Sequence, residues 1–121
     1  DAEWMMLERH LGMDAGELEG LENWRGHAGE LLKTGEQGIG FDALYGGAAV
    51  YALSTAYNSR YVYKNEGAYF WSSDQIVISD SLSNGIVRNI SLYHSGIRRM
   101  TSRLISTTEN VRPSYSVRLV K

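Results

Sequence analysis

The 121-residue sequence predicts an α+β domain with helices first and antiparallel strands after, and three observations carry that prediction. Charge divides sharply: residues 1–42 hold ten acids and three bases, whereas residues 43–121 hold four acids and nine bases. Ten of the thirteen glycines fall at or before Gly47. Beyond Gly38 the chain turns into short β-branched and aromatic runs separated by turn residues. A change of secondary structure type at that point accounts for all three.

The first element is a helix. Trp4, Leu7 and Leu11 recur at i, i+3 and i+7 with Glu3, Glu8 and Arg9 between them, and Gly12 stops the run. Asp1 stands at its N-cap or in its first turn, where a carboxylate meets the positive end of the helix dipole. Residues 13–27 place Leu18, Leu21 and Trp24 at three-residue spacing, but Gly16, Gly20 and Gly26 oppose a helix. A second helix is expected over Ala28 to Lys33.

Strands are expected at Tyr69 to Trp71, Gln75 to Ile78, Ile86 to Tyr93, Ile97 to Ile105 and Tyr115 to Val120. In the third, Ile86, Ile90 and Leu92 alternate with Asn89, Ser91 and Tyr93, and Arg88 breaks the alternation. Asn84-Gly85 and Ser95-Gly96 are turn dipeptides, so Ile86 to Ile105 reads as a hairpin centred near His94. Pro113 suits the start of a final strand. Trp4 and Trp71 read as core, and Trp24 is the tryptophan expected to be exposed for stacking.

Composition excludes several functions. A net charge of −2 lacks the concentrated positive field that nucleic acid or anionic lipid requires. The longest mostly apolar run, Ala43 to Leu53, is far short of the ~20 residues of a membrane helix. With no cysteine, thiolate metal sites, thiol nucleophiles and redox dithiols are excluded. His10, His27 and His94 show no zinc spacing, and no Gly-x-Ser-x-Gly elbow is present. Asp74 and Asp80 bracket a strand rather than forming an oxygen-ligand loop, so no calcium or other cofactor is expected. The expectation is a non-enzymatic domain without catalytic or metal-ligating residues.

Two segments carry the candidate binding residues. Residues 54–66 hold Tyr57, Asn58, Arg60, Tyr61 and Tyr63, rigid amphipathic rings beside adaptable polar groups, as in a paratope. The competing reading is a tyrosine-rich strand packed on the sheet, with Tyr61 and Tyr63 on one face. The second segment is the hairpin around His94, with Arg98 and Arg99 placed to engage carboxylates or acidic glycans. Its competing reading has these arginines neutralise the acidic first third of the same chain.

Several motifs in order resemble one family. Asp1-Ala2-Glu3-Trp4, Ala28-Gly29 with Leu32-Lys33, Gly40 to Leu44 with Gly46-Gly47, Tyr69 to Ser73 and Ser116 to Lys121 are similar to the Fibrobacter succinogenes major paralogous domain, FISUMP. The resemblance implies one domain over residues 1–121 with a fold similar to the C-type-lectin-like domain, two N-terminal helices packing on a twisted antiparallel sheet. It also implies an extracytoplasmic place, secreted or lipid-anchored at the surface of Bacteroidetes or Fibrobacteres. A surface glycan or protein is then the expected ligand, with a structural module of a larger surface protein as the alternative. Family members carry a strand before the Asp-Ala-Glu-Trp helix, and this sequence is expected to lack it, so the final strand is expected to present an open edge for self-association.

Overall fold

A computed structural model describes residues 1–52, 60–79, 82–103 and 111–116 of the chain. Helix α1 spans Ala2–His10, followed by single-turn helix α2 at Ala15–Leu18 and strand β1 at Trp24–Arg25. A second single turn, α3, covers Ala28–Leu31. The strands that follow are β2 (Ala48–Ala52), β3 (Arg60–Val62), β4 (Gly67–Ser79), β5 (Leu82–Ser91), β6 (Ile97–Arg103) and β7 (Val111–Ser114). They form a four-stranded sheet in the order β1-β6-β5-β4 and a three-stranded sheet in the order β3-β2-β7, with every strand pair antiparallel. The domain is α+β, as the sequence predicts.

Helix α1 ends as expected, with Gly12 at φ +91° beyond its C-cap at Leu11. The second helix is shorter than expected, one turn rather than Ala28 to Lys33, and the glycine-punctuated segment before it holds α2 and a two-residue strand. Close packing sets α3 in place. Its Glu30 N–H donates to Ser95 C=O at 2.7 Å, and a Cβ on Gly29 would lie 2.0 Å from the Gly96 carbonyl oxygen. Only a glycine lets these two backbones meet.

The hairpin centred near His94 is present, since β5 and β6 are joined by residues 92–96, but Asn84-Gly85 is not a turn: it lies inside β5, paired with Ile76 and Gln75 of β4. The two expected strands at Tyr69 to Trp71 and Gln75 to Ile78 are one, β4, with a register shift between Trp71 and Gln75. Pro113 lies within β7, an edge strand of the smaller sheet, where a missing donor is tolerated. Beyond it Ser116 bridges Phe70 in parallel, exchanging hydrogen bonds with Tyr69 and Trp71 at 3.0 and 3.1 Å. The expected final strand from residue 117 onward, and with it the open edge, lies outside the described residues.

The inner face of the larger sheet packs under α1. Trp4, Phe41 and Phe70 meet with ring centroids 5.7 to 5.9 Å apart, surrounded by Leu32, Ile90 and Ile97. Trp71 is corrected from core to half-buried, because alternation gives the inner position to Phe70 and turns Trp71 to the other face, against Tyr115 at 4.8 Å.

Two further corrections concern charge. Glu8 stands one turn after Trp4 on the buried face of α1 and is fully buried, not on its solvent side. Arg88 does not break the alternation of β5: it points inward with Ile86 and Ile90 and is also fully buried. Arg88 Nε donates to Glu8 Oε1, while Arg25 Nη2 lies 3.0 Å from both Glu8 oxygens. Arg99, opposite Arg88 across the strands, grips Asp1 with Nε at 3.1 Å and Nη2 at 2.6 Å. Arg88 Nη1 is 2.7 Å from Asp1 Oδ1. Arg25 and Arg99 also donate to the Leu18 and Glu19 carbonyls at the end of α2, at 2.6 and 2.9 Å. Three guanidiniums and two carboxylates thus fasten the helical layer to the sheet. Burial pulls Arg25 and Arg88 below the usual guanidinium pKa, and the charge of Glu8 opposes that pull.

Candidate functional site

The same alternation that buries the arginines builds the outer face. Trp24 of β1 is paired with Arg98 of β6, Arg98 with Asn89 of β5, and Asn89 with Tyr69 of β4. One side chain from each strand therefore lies in a single row across the sheet. Directly opposed residues on one face of paired strands are within contact distance, so the row acts as one surface.

Over this row lies a groove of about 250 Å³. Its sides come from two turns. Tyr63 and Asn65 adopt left-handed backbone, φ +57° and +65°, in the turn between β3 and β4, which brings Tyr63 and Glu66 to one side. That turn is fastened by Asn65 N–H to Tyr45 C=O at 2.8 Å. Tyr93 in the β5–β6 turn flanks the groove from the other side. Gly67 forms part of the floor: a Cβ there would stand 3.0 Å from the Tyr69 ring and 3.3 Å from Asn89 Nδ2.

Each group in the row is held. Trp24 stacks on His94, centroids 4.3 Å apart at 10°. Arg98 Nη2 donates to Glu22 Oε2 at 3.0 Å and its Nε to Glu22 C=O at 3.1 Å, and Glu22 Oε1 accepts from Thr101 N–H at 2.8 Å. Asn89, buried, donates from Nδ2 to Ala68 C=O at 3.2 Å. Tyr69 lies between Tyr63 and Tyr115, at 6.0 and 5.5 Å. Burial first, then the neighbouring Tyr63, pushes the Tyr69 phenol pKa up. Beside the row the outer face is covered, with Val87 fully buried and Tyr115 Oη 3.2 Å from Ser102 Oγ, whereas the far end of β4 is exposed.

The structure sorts the sequence candidates. Tyr63, Arg98 and, through Trp24, His94 belong to the groove. Tyr61 is exposed in β3 and does not line it; Tyr63 is exposed and sits past the end of β3, so the two are not packed on the sheet as a strand pair. Arg60 opens β3, its backbone paired with Val50, and Tyr57 and Asn58 lie outside the described residues. Arg99 is turned inward and committed to Asp1, and Arg98 is paired with Glu22, so the neutralising role describes both arginines; of the two, Arg98 also lines the groove and Arg99 does not. Tyr69, Asn89, Glu66 and Gly67 are groove residues that were not among the binding candidates read from the sequence. The alternation that sets Asn89, Ser91 and Tyr93 on one face was the available signal.

The row offers flat rings for stacking and, between them, an amide, a guanidinium and hydroxyls for hydrogen bonding. Glu66 is the one carboxylate among the described residues that line it. No curated protein and no solved structure matches the chain. The family model for the Fibrobacter succinogenes major domain matches residues 1–121, the whole chain, which therefore belongs to that family.

Proposed function

We propose that this is a non-enzymatic binding domain of an extracytoplasmic surface protein, and that its ligand is a carbohydrate seated in the outer-face groove. The carrying observation is the cross-strand row Trp24–Arg98–Asn89–Tyr69 with the Gly67 opening beside it. A sugar ring has apolar C–H faces that stack on aromatic rings and a rim of hydroxyls that pair with fixed amide and charged groups. The groove is smaller than the ~300–1,000 Å³ of drug-sized pockets, which suits a ring-sized unit better than a protein surface. A single carboxylate among the described residues that line the groove favours binding over glycoside hydrolysis, which uses a pair. The helices-then-sheet order and the antiparallel pairing support a lectin-like scaffold.

The alternative, an assembly module contacting a protein or a second copy, is favoured by the far end of β4, where Val77 and Ile78 are 68% and 55% exposed. Immobilised neutral and acidic glycans, probed with the native domain, Gly67→Ala and Tyr61→Ala, separate these readings. Retention by glycans that Gly67→Ala weakens and Tyr61→Ala leaves intact supports the groove. Absence of any retention, together with concentration-dependent self-association that Val77→Lys removes, supports the assembly reading.

A further inference from the structure

Beyond the first groove, and resting on the carbohydrate reading of it, a second cavity of about 310 Å³ lies on the other side of a narrow wall. The wall is a backbone contact: Leu92 N–H donates to Glu66 C=O at 2.8 Å. Glu66 and Tyr93 line the first groove, whereas the adjoining Leu92 and Tyr45 line the second. Tyr45 is itself joined to the wall, since its C=O accepts from Asn65 N–H. Tyr93 and Leu92, 71% and 48% exposed, form the crest between the cavities. Two apolar side chains left in water at that point gain from a ligand that crosses it.

Among the described residues that line the two cavities, the unpaired charge has one sign. Arg98 is neutralised by Glu22, and Lys33 by Glu30 at 2.7 Å, which leaves Glu66 at the first cavity and Glu36 at the second. These residual carboxylates repel uronate and sulfate and accept hydrogen bonds from hydroxyls.

We infer that the two cavities are consecutive subsites for a linear, uncharged oligosaccharide that runs over the Leu92–Tyr93 crest. A ligand confined to the first groove leaves the crest and the second cavity in water. A longer chain fills both as one molecule, so added units bind without a second loss of translational freedom.

The test is calorimetric titration of the domain with gluco-, manno- and galacto-oligosaccharide ladders from one to six units, beside a uronic acid ladder. Affinity for one neutral ladder should rise at least about tenfold between two and four units, the equivalent of ~1.4 kcal/mol. Glu36→Ala and Gln37→Ala, both at exposed positions, should collapse the gain, whereas Gly67→Ala should weaken every length. Binding that stays flat along the ladder, or a gain untouched by the second-cavity substitutions, overturns the two-subsite inference while leaving the groove reading standing. Tighter binding of the uronic acid ladder overturns the uncharged assignment. No binding at any length overturns the inference together with the reading on which it rests.

Discussion

Arg98 and Arg99 are neighbours in sequence with the same side chain, yet they stand on opposite faces of one sheet and do different work. Arg99 faces α1, is 7% exposed and is committed to Asp1 and the Glu19 carbonyl. Arg98 faces the groove, remains about a third exposed, and is oriented by Glu22. The difference lies in what covers each face. On the inner side α1 and its N-cap carry carboxylates into a buried layer, where charges persist only when paired. On the outer side no element crosses the Trp24–Tyr69 row among the described residues, and the same chemistry stays available to a ligand.

The strongest challenge to the inner face is Glu8→Ala. It leaves Arg25 and Arg88 buried without their shared carboxylate and should cost about 3–5 kcal/mol in chemical denaturation. Arg88→Met is the sharper companion. The cluster holds three guanidiniums against two carboxylates, and Arg88 Nη2 has no hydrogen-bond partner among the described residues. Removing this cation leaves Glu8 with Arg25 and Asp1 with Arg99, so the loss should stay at or below about 1–2 kcal/mol. A larger loss than that of Glu8→Ala would break the account of the inner face.

On the outer face Gly67→Ala places a methyl between Tyr69 and Asn89 and should weaken glycan binding about tenfold, with denaturation shifted by under ~1 kcal/mol. The smallest expected effect is one of pH. The Tyr69 phenol is raised in the folded state, so its contribution to stability is fully present below the ordinary tyrosine pKa, about 10. It is lost as pH rises through the raised folded value. Tyr69→Phe should therefore blunt the fall in stability as pH rises above about 10, measured by denaturant midpoint.

Much of the scaffold was legible because periodicity is local. Helix α1 and the outward set Asn89, Ser91 and Tyr93 follow from spacing, and the hairpin around His94 from its Ser95-Gly96 turn. Glu8 and Arg88 escaped because each, read locally, is a charge on an apolar face. Only their meeting across 80 residues makes both positions favourable, and a hydropathy pattern carries no sign of complementarity at that distance. Trp71 was misplaced for a related reason: in Tyr69-Phe70-Trp71 all three rings suit a core, and register decides which one enters it. The groove was half visible. Trp24, Tyr63 and Arg98 were named from residue type, whereas the Gly67 opening exists only once β4 and β5 are paired.

The most direct test pairs Arg98→Ala with Arg99→Ala, each measured for denaturation midpoint and for affinity toward the neutral oligosaccharide ladder. The account predicts that Arg98→Ala weakens binding about tenfold with stability changed by under ~1 kcal/mol, as for an exposed ion pair. It predicts that Arg99→Ala lowers stability by several kcal/mol, about 3–5, while the folded fraction binds as before. Equal effects of the two substitutions on both quantities, or loss of binding from Arg99→Ala alone, would contradict the division of labour between the faces.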